Sequence, residues 1–438
     1  MLAGAGADAL SLRHMNERVT DPVQPATDGE RCARLQPALA LVDNRNDVDM
    51  ARLRLYRFAR VQAELKSRDY AGCLLYDPVN IRYATGTRNM TIWTMHNAAR
   101  YCFVPAEGKA IVFDYRNCEH LSNGIETVGE ARRGTFWYYF SVAERQSEVV
   151  ARWAGEIDSV VRAHGGANRR LAVDHVDAEG YAALGALGLQ LFNGQEPLEH
   201  ARKIKSADEL ACMGAALSVC EAGLAKVRAA LEPGRTEIEL WSILASTNHE
   251  MGGEYMETRL LASGGRTNPW YQECSERRVR PRELVAIDTD MVGPFGYDAD
   301  ISRTLFCGPG RPSGGQRTLY GLAHEQVHHN IALLRPGIAF RELSARAWTP
   351  PEKYAPLAAG VVIHGVGMCN EYPQVYPGPA AERTGYDGVL EPGMTVCVES
   401  YIGEKNGTEG VKLEQMVLVT EKGPELLSLF PFEDSLLA

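Results

Sequence analysis

The sequence predicts an α/β (α+β) protein with two folded domains, on three observations. Its 438 residues, 45% hydrophobic and 23% charged, are enough to form two sizeable cores. Over residues 49–203, short apolar runs alternate with segments of helical spacing, which is typical of an α/β domain. Residues 204–438 contain a short internal repeat, which indicates a pseudo-two-fold domain with a site at its centre. We therefore expect an N-terminal arm over residues 1–48 and domains over residues 49–203 and 204–438.

Composition narrows the classes of function and partner. A net charge of -10 disfavours a nucleic-acid partner. No apolar run approaches the ~20 residues that span a bilayer, so we expect no membrane partner. Asp8 interrupts the first apolar stretch, which is therefore not interpreted as a signal peptide. The N-terminal arm is equally compatible with a flexible segment and with a segment that wraps around a partner subunit. The ten cysteines are scattered without a CxxC pair, which predicts free thiols and a cytoplasmic protein.

The first domain is predicted from the spacing of its apolar residues. Runs at 72–78, 109–115 and 170–176 have the length and composition of strands, whereas 51–67 and 144–164 have helical periodicity. Strands that alternate with helices in this way predict a sheet covered by helices.

The second domain begins with a helix-start signal. Ser206 precedes Glu209 by three residues, which is a capping box, and the helix that follows should end near Pro233-Gly234. Leu231-Glu-Pro-Gly recurs as Leu334-Arg-Pro-Gly, and each copy is followed at the same offset by Glu-Leu. We therefore expect two similar helix–turn–helix units, although so short a match can also arise by chance.

Several strand-like runs between residues 284 and 417 end in, or are interrupted by, a residue that can bind a metal. These residues are Asp288, Asp290, Asp300, His364, Glu399 and Glu414. The spacing of Asp288 and Asp290 places both on one face of an extended chain. Hard divalent cations prefer carboxylates with one imidazole, and two such cations can share bridging carboxylates. For any one carboxylate alone, a solvated strand end is the simpler interpretation.

The order of these fragments resembles the creatinase/aminopeptidase family of pita-bread metalloenzymes. The matching fragments are Ile287-Asp288, Gly296-Tyr297 with Asp300-Ile301-Ser302-Arg303-Thr304, His364-Gly365-Val366-Gly367, Glu399, and Glu414 with Leu418-Val419-Thr420. The resemblance covers about residues 50–430. It implies a pita-bread catalytic domain preceded by a creatinase-type N-terminal domain, usually in a homodimer.

The resemblance also implies a dinuclear metal site. By the match, the ligands of two divalent metal ions are Asp288, Asp300, His364, Glu399 and Glu414, with Asp290 as a sixth. The ligand chemistry suits Fe, Mn, Co or Zn without distinguishing them, and the resemblance favours an iron-like metal.

Two positions depart from the peptidases of this family. Asn370 and Trp270 stand where those enzymes have histidines that handle the peptide and its protons, which argues against peptide hydrolysis. An indole face attracts cations by ~0.5–2 kcal/mol, so Trp270 is a candidate wall for a cationic group. A buried core position is the alternative for this tryptophan.

Residues 257–274, 286–293 and 364–373 are similar to dimethylsulfoniopropionate lyases of DddP type. These are members of the fold thought to cleave a sulfonium carboxylate to dimethyl sulfide and acrylate. The resemblance implies a small carboxylate substrate with a cationic group, and a base that removes the proton alpha to the carboxylate. Those lyases have aspartate at the position of Asn370, and an amide is not a base. Asn370 and Glu371 are therefore the catalytic candidates, with Glu371 or a metal hydroxide as the base.

The remaining candidates lie in three places. Tyr372 follows the catalytic pair and is expected to bind substrate. Trp93 and His96 of the first domain are further substrate-binding candidates, because in such dimers this region can reach the partner's active site; core packing is the alternative for both. His324 and His328 form a literal H-E-x-x-H, but no third ligand is evident, so we expect a surface or dimer-facing helix instead.

Three classes of function stay open on the sequence. They are a metal-dependent carbon–sulfur lyase; a metal-dependent C–N hydrolase such as an Xaa-Pro aminopeptidase, a creatinase-like or an ectoine-hydrolase-like enzyme; and a non-catalytic binding protein. The intact ligand set disfavours the third class. The two missing histidines disfavour peptide cleavage but not hydrolysis of small amides.

Overall fold

The computed structural model describes residues 48–438. The predicted N-terminal arm, residues 1–48, therefore lies outside the described part of the chain except for residue 48. The predicted α/β (α+β) class is confirmed: both halves contain helices and sheets, with a mixed sheet in the first half and antiparallel sheets in the second. The boundary predicted between residues 203 and 204 stays a prediction.

The first half is a six-stranded mixed sheet of order β4-β3-β2-β1-β5-β6, covered by helices. The strands are β1 Gly72–Leu75, β2 Tyr101–Pro105, β3 Ala110–Asp114, β4 Val128–Arg133, β5 Arg170–Val173 and β6 Gln190–Asn193. The helices are α1 Met50–Ser67, α2 Pro78–Thr85, α3 Thr91–His96, α4 Tyr139–Val142, α5 Gln146–Gly165, α6 Ala178–Ala186 and α7 Gln195–Arg202. All three predicted strands and both predicted helices of this half are thus confirmed, with ends shifted by a few residues.

The long helix α8, Ala207–Ala230, connects the two halves. Its predicted capping box is present: Ser206 Oγ accepts from the Glu209 amide, and the Glu209 carboxylate accepts from the Ser206 amide. The helix is long and apolar enough to cross a membrane, but 72% of its most apolar window is buried inside the protein. Leu217 of α8 lies in one core cluster with Leu53 of α1, so this helix belongs to the core that joins the two halves.

The second half contains three further sheets. Their orders are β11-β10-β7, β12-β9-β8 and β14-β13-β15-β16-β17. The strands are β7 Tyr255–Met256, β8 Leu261–Ser263, β9 Leu284–Asp288, β10 Met291–Val292, β11 Asp298–Ala299, β12 Ser302–Phe306, β13 Ile363–Val366, β14 Asn370–Val375, β15 Thr395–Gly403, β16 Gly410–Thr420 and β17 Gly423–Leu426. The helices are α9 Glu237–Glu250, α10 Gly314–Leu333, α11 Phe340–Arg346, α12 Gly378–Thr384 and α13 Asp434–Leu437.

The internal repeat corresponds to two matching helical units. Helices α8 and α10 each begin with a capping box and each end at an extended leucine, Leu231 or Leu334, before the Pro-Gly pair. Each is followed by a shorter helix, α9 or α11. The predicted pair of helix–turn–helix units is confirmed, and the strands that carry the acidic residues lie between and after them.

Candidate metal centre and its cleft

Strand pairing brings the predicted ligands together from distant parts of the chain. Glu399 of β15 lies directly opposite Glu414 of β16, and His364 of β13 lies opposite Cys397 of β15. On the neighbouring sheet, Asp288 at the end of β9 pairs with Ser302 of β12. Because side chains alternate between the faces of a strand, Cys397 and Glu399 point to the same side of β15.

Asp290 reaches the site by a turn and not by the extended chain that its spacing predicts. Strand β9 ends at Asp288, and Asp290 has a φ of 31°, a region that aspartate tolerates better than most residues. Its carboxylate accepts a short hydrogen bond from the Thr258 hydroxyl. The two aspartates therefore converge through a bend of the backbone.

Potential ligand atoms form two groups, and Asp300 belongs to both. One group is Asp288, Asp290 and Asp300, and the other is Asp300, His364, Cys397 and Glu414; within each group the ligand atoms lie within 4.8 Å of one another. Every member of both groups is buried. A carboxylate shared by two groups is the arrangement in which one residue bridges two cations.

The His364 ring has the orientation of a metal ligand. Its Nδ1 lies 3.1 Å from the Gly365 carbonyl oxygen, which can only accept, so Nδ1 carries the proton. The Nε2 atom then points to Glu414 at 3.2 Å and to Asp300 at 3.5 Å. Burial lowers the pKa of His364, but the Glu414 carboxylate outweighs burial and raises it to about 9. A second hydrogen bond that fixes the tautomer is a common feature of histidine ligands.

Buried negative charge dominates the centre. Burial raises the pKa values of Asp288, Asp298 and Asp300 well above their usual range, and the neighbouring carboxylates add to this effect. The Lys412 ammonium contacts Glu399 at 2.6 Å, Glu414 at 3.0 Å and Asp288 at 3.5 Å. The Lys412 ammonium and the His364 ring cannot balance this many carboxylates, which favours the binding of further cations.

Unpartnered oxygens support the same conclusion. Asp300 Oδ1 and both carboxylate oxygens of Asp298 are buried without a hydrogen-bond partner in the described part of the protein. Such oxygens are costly unless a proton or a cation compensates them. With the shared Asp300 and the oriented imidazole, the donor set fits a pair of divalent cations.

A cavity of about 1100 Å³ opens onto this centre. All six predicted ligands line it, together with Lys412 and four tyrosines; the tyrosines are Tyr271, Tyr372, Tyr376 and Tyr386. Tyr372 stacks on Tyr386 with ring centroids 5.6 Å apart. A cavity lined by both tyrosines and metal-binding carboxylates suits a ligand with a cationic and an anionic end.

Asn370 and Glu371, the predicted catalytic pair, differ in their surroundings. Asn370 is exposed and lines both this cavity and a second one of about 740 Å³ that continues toward the first domain. Glu371 is buried, and its carboxylate is held by Lys205 and lies 3.1 Å from Arg202. A carboxylate held between two cations favours a structural role for Glu371 over the predicted role of base.

Of the four substrate-binding candidates, only Tyr372 lines the large cavity, and the other three lie outside its lining. Trp270 is 7% exposed and packs with Tyr401 in a small core cluster, which is the core alternative considered for this residue; its neighbour Tyr271 faces the cavity instead. Trp93 lies on α3 with its ring against Tyr115 and lines neither cavity. His96, also on α3, lines the second cavity.

The H-E-x-x-H motif lies on α10, away from these cavities. The rings of His324 and His328 stack with centroids 3.9 Å apart and contact Phe432. Neither histidine is in a potential ligand group of the described residues. The expectation of a surface or dimer-facing helix stays a prediction for residues 324–328.

Four residues of the centre and its cavities were not among the predicted site residues, and Asp298, with its two unpartnered oxygens, is one of them. Lys412 and Cys397 are each two positions before a predicted glutamate, a spacing that places them on its face of the strand. Glu257 lines the second cavity beside Asn370. Its side chain is exposed in that cavity, and partial burial together with the charge of Asp290 raises its pKa to about 7. For Lys412 and Cys397 the alternation was available as a signal; for Glu257 the sequence offers none.

Comparison with known proteins agrees with both halves of the fold. The creatinase/prolidase N-terminal domain matches residues 57–204, and metallopeptidase family M24 matches residues 211–421. The dimethylsulfoniopropionate lyases DddP of Roseovarius nubinhibens and Roseobacter denitrificans are 39% and 40% identical to this chain, over 89% of it and 88% of each relative.

Solved structures agree on the fold. An Xaa-Pro dipeptidase from Bacillus anthracis has a TM-score of 0.69 at 21% identity, covering 86% of this chain and 98% of that one. Dipeptidase PepE from Mycobacterium ulcerans has a TM-score of 0.68 at 23% identity, covering 88% and 98%.

Proposed function

Because the chain belongs to metallopeptidase family M24 and, within it, to the family of the DddP lyases, we propose that it cleaves dimethylsulfoniopropionate to dimethyl sulfide and acrylate. The observation that carries the proposal is 39–40% identity to two lyases across nine-tenths of the chain, against 21–23% for the two solved peptidases. The reaction is a β-elimination: the proton alpha to the carboxylate leaves, the C–S bond breaks, and its electron pair departs with the sulfur.

We further propose that the centre holds two divalent, iron-like metal ions. The ligands would be Asp288, Asp290, Asp300, His364, Glu399 and Glu414. When bound, such cations supply positive charge that binds the substrate carboxylate and stabilises the charge that develops on it as the alpha proton leaves. The shared carboxylate of Asp300 and the fixed tautomer of His364 support this ligand set.

The tyrosines that line the large cavity would bind the sulfonium end of the substrate. Tyr372 and Tyr271 line the same cavity as the carboxylates, and an aromatic face attracts a desolvated cation by ~0.5–2 kcal/mol. The Tyr372 ring also contacts the rings of Tyr386 and His200, which fix its position. The substrate would therefore lie with its carboxylate at the metal centre and its sulfonium group against these tyrosines.

The base in this proposal is Glu257. The Asn370 amide is not a base, and two cations hold the Glu371 carboxylate, whereas Glu257 lines the second cavity together with Asn370. A base works best when its pKa is near the working pH, and the pKa of Glu257 is raised to about 7. Glu257 would take the alpha proton and return it to solvent through the second cavity.

The test is the release of dimethyl sulfide into the headspace from protein loaded with Fe²⁺, Mn²⁺, Co²⁺ or Zn²⁺. Acrylate should appear in equal amount. Asp300→Ala is the matched control, because it removes the carboxylate shared by both ligand groups. Metal analysis should give about two ions per wild-type chain and fewer in the variant. Absence of dimethyl sulfide from fully metal-loaded wild type would refute the lyase.

A metal-dependent C–N hydrolase is the second candidate, and the surroundings of Asn370 favour it. An amide at this position leaves the cleft without the base of the lyases, and a cavity of about 1100 Å³ accepts substrates larger than a five-carbon zwitterion. Screening Xaa-Pro dipeptides, creatine-like amidines and ectoine-like cyclic amidines on the same metal-loaded protein distinguishes the two. Hydrolysis without dimethyl sulfide would replace the lyase by the hydrolase.

We also propose that the enzyme is a cytoplasmic homodimer. Support for the compartment comes from the nine described cysteines, all of which are free thiols. Support for the dimer comes from apolar side chains exposed on the first half, such as Ile92, Met95 and Phe140. Light scattering of the full chain should give twice the 48.2 kDa mass, and a monomer would refute the dimer.

A further inference from the structure

One of the two potential ligand groups contains a sulfur atom. Cys397 Sγ lies within 4.8 Å of ligand atoms of Asp300, His364 and Glu414, and all four residues are buried. The ligands implied by the family resemblance are carboxylates and one histidine, so this thiol is an addition to them.

The strands fix the direction of this thiol. Cys397 lies two residues before Glu399 on β15, so both side chains point to the centre. It pairs across the strands with His364 on one side and Met416 on the other. Its own exposed fraction is 0%, and its sulfur lies 3.5 Å from the Asp300 carbonyl oxygen. The thiol thus packs against the backbone of one proposed ligand and beside the ring of another.

A second observation points to a cation at this position. Asp300 is 2% exposed, and its Oδ1 has no hydrogen-bond partner in the described part of the protein. The His364 Nε2 atom lies 3.5 Å from the other oxygen of that carboxylate, Oδ2, and 3.2 Å from Glu414. The sulfur therefore belongs to a group that already has an uncompensated oxygen and an oriented nitrogen.

We propose that Cys397 is a further ligand of the metal ion held by Asp300, His364 and Glu414, so that this position has a mixed sulfur, nitrogen and oxygen donor set. The inference rests on the proposed metal centre. Binding replaces the S–H bond with a sulfur–metal bond, and the proton passes to a neighbouring carboxylate and then to solvent. No electron is transferred.

Two properties follow from a sulfur donor. Thiolate favours Zn, Fe and Co over Mn and Mg, so the position held by Cys397 should prefer the softer metals, whereas the group of three aspartates should not. Loss of even an outer-shell partner weakens metal binding by ~10–100-fold, so loss of a direct ligand should weaken Zn²⁺ or Co²⁺ binding by at least ~10-fold. Mn²⁺ binding should change less.

The test is the electronic spectrum of the full chain, stripped with a chelator and reloaded with Co²⁺ without oxygen. Sulfur bound to Co²⁺ gives a strong near-ultraviolet charge-transfer band that oxygen and nitrogen ligands do not give. Wild type should show the band, and Cys397→Ser should bind cobalt without it. Cys307→Ser is the matched control, because Cys307 is equally buried in the same half and its thiol also contacts a backbone carbonyl, at 3.7 Å.

The outcomes separate this inference from the proposed function. Cobalt bound to wild type without the band, or a band that persists in Cys397→Ser, would overturn the thiol ligand and leave the metal centre standing. Failure of wild type to bind cobalt would overturn both. The wild-type spectrum alone can refute the inference, so the test does not depend on whether the variant folds. Cys397→Thr provides a second variant of similar size.

Discussion

Lys412 provides the sharpest test of how the centre balances its charges. Its side chain is 3% exposed, and its ammonium contacts three carboxylates within 3.5 Å. In the part of the protein that the structure describes, no other lysine or arginine forms an ion pair with Asp288, Glu399 or Glu414. Replacing it by methionine keeps the length and removes the charge. We therefore expect Lys412→Met to destabilise the metal-free protein far more than the metal-loaded protein.

The magnitude follows from burial. Removal of one partner of a buried ion pair costs about 3–5 kcal/mol, because the remaining charge is left without compensation. The carboxylates of the centre can take up protons in response, so the lower end, about 3 kcal/mol, applies here. For a domain of 150–250 residues this corresponds to a melting midpoint lower by about 6–12 °C. Divalent cations replace the lost charge, and the more negative site should bind them more tightly than wild type does.

Thermal unfolding with chelator and with saturating Zn²⁺ or Mn²⁺ measures both effects. Lys412→Arg keeps the charge and should stay near wild type. Lys66→Met is the surface control, since that side chain is 52% exposed and its ion pair with Glu107 contributes little. If Lys412→Met melts within 2–3 °C of wild type in chelator, or if metal raises its midpoint no more than it raises that of wild type, the charge argument is wrong.

Three further predictions concern the cleft and the helix outside it. Asn370→Asp should add a second carboxylate base to the cavities and raise dimethyl sulfide release, by less than the ~10²–10⁴-fold of a sole positioned base because Glu257 is already present, and no gain in a folded, metal-loaded variant would contradict this. Because a base acts in its deprotonated form, kcat/KM should rise with pH through about 7, the raised pKa of Glu257, and Glu257→Gln should remove that limb of the pH profile. His324→Ala and His328→Ala should keep metal content and activity, and a metal loss equal to that of His364→Ala would revive the zinc-protease interpretation of that helix.

The fold could be predicted well because its signals are local. Helix α8 begins at a capping box, a signal that spans only four residues of sequence, and the same signal recurs at α10. The proposed ligands could be named because they follow the order of a known family, and strand pairing then brings Glu399 opposite Glu414. Asp290 shows the limit of the periodicity argument, because the backbone turns at that residue and the extended spacing no longer applies.

The contents of the cleft were harder to predict because they depend on long-range packing. Glu371 is held by Lys205, which lies 166 residues earlier in the chain, so its pairing has no local signal. Trp270 and Tyr271 are adjacent, and the positive φ of 71° at Tyr271 helps to decide which ring faces the cavity. Trp270 is predicted to bind substrate from its position in a motif, and that position contains no information about the backbone turn at Tyr271.

The same reasoning explains why Lys412 was missed although its strand was recognised. A lysine that alternates with apolar residues normally indicates the solvated face of a strand, because lysine is almost never fully buried without a partner. Here the alternation also places Lys412 on the face of Glu414, two residues later. Once Glu414 is proposed to face a buried centre, Lys412 must face it too, and its charge must be paired there. A strand residue two positions from a buried carboxylate should therefore be examined as part of the same site, and Cys397 beside Glu399 is the second case in this chain.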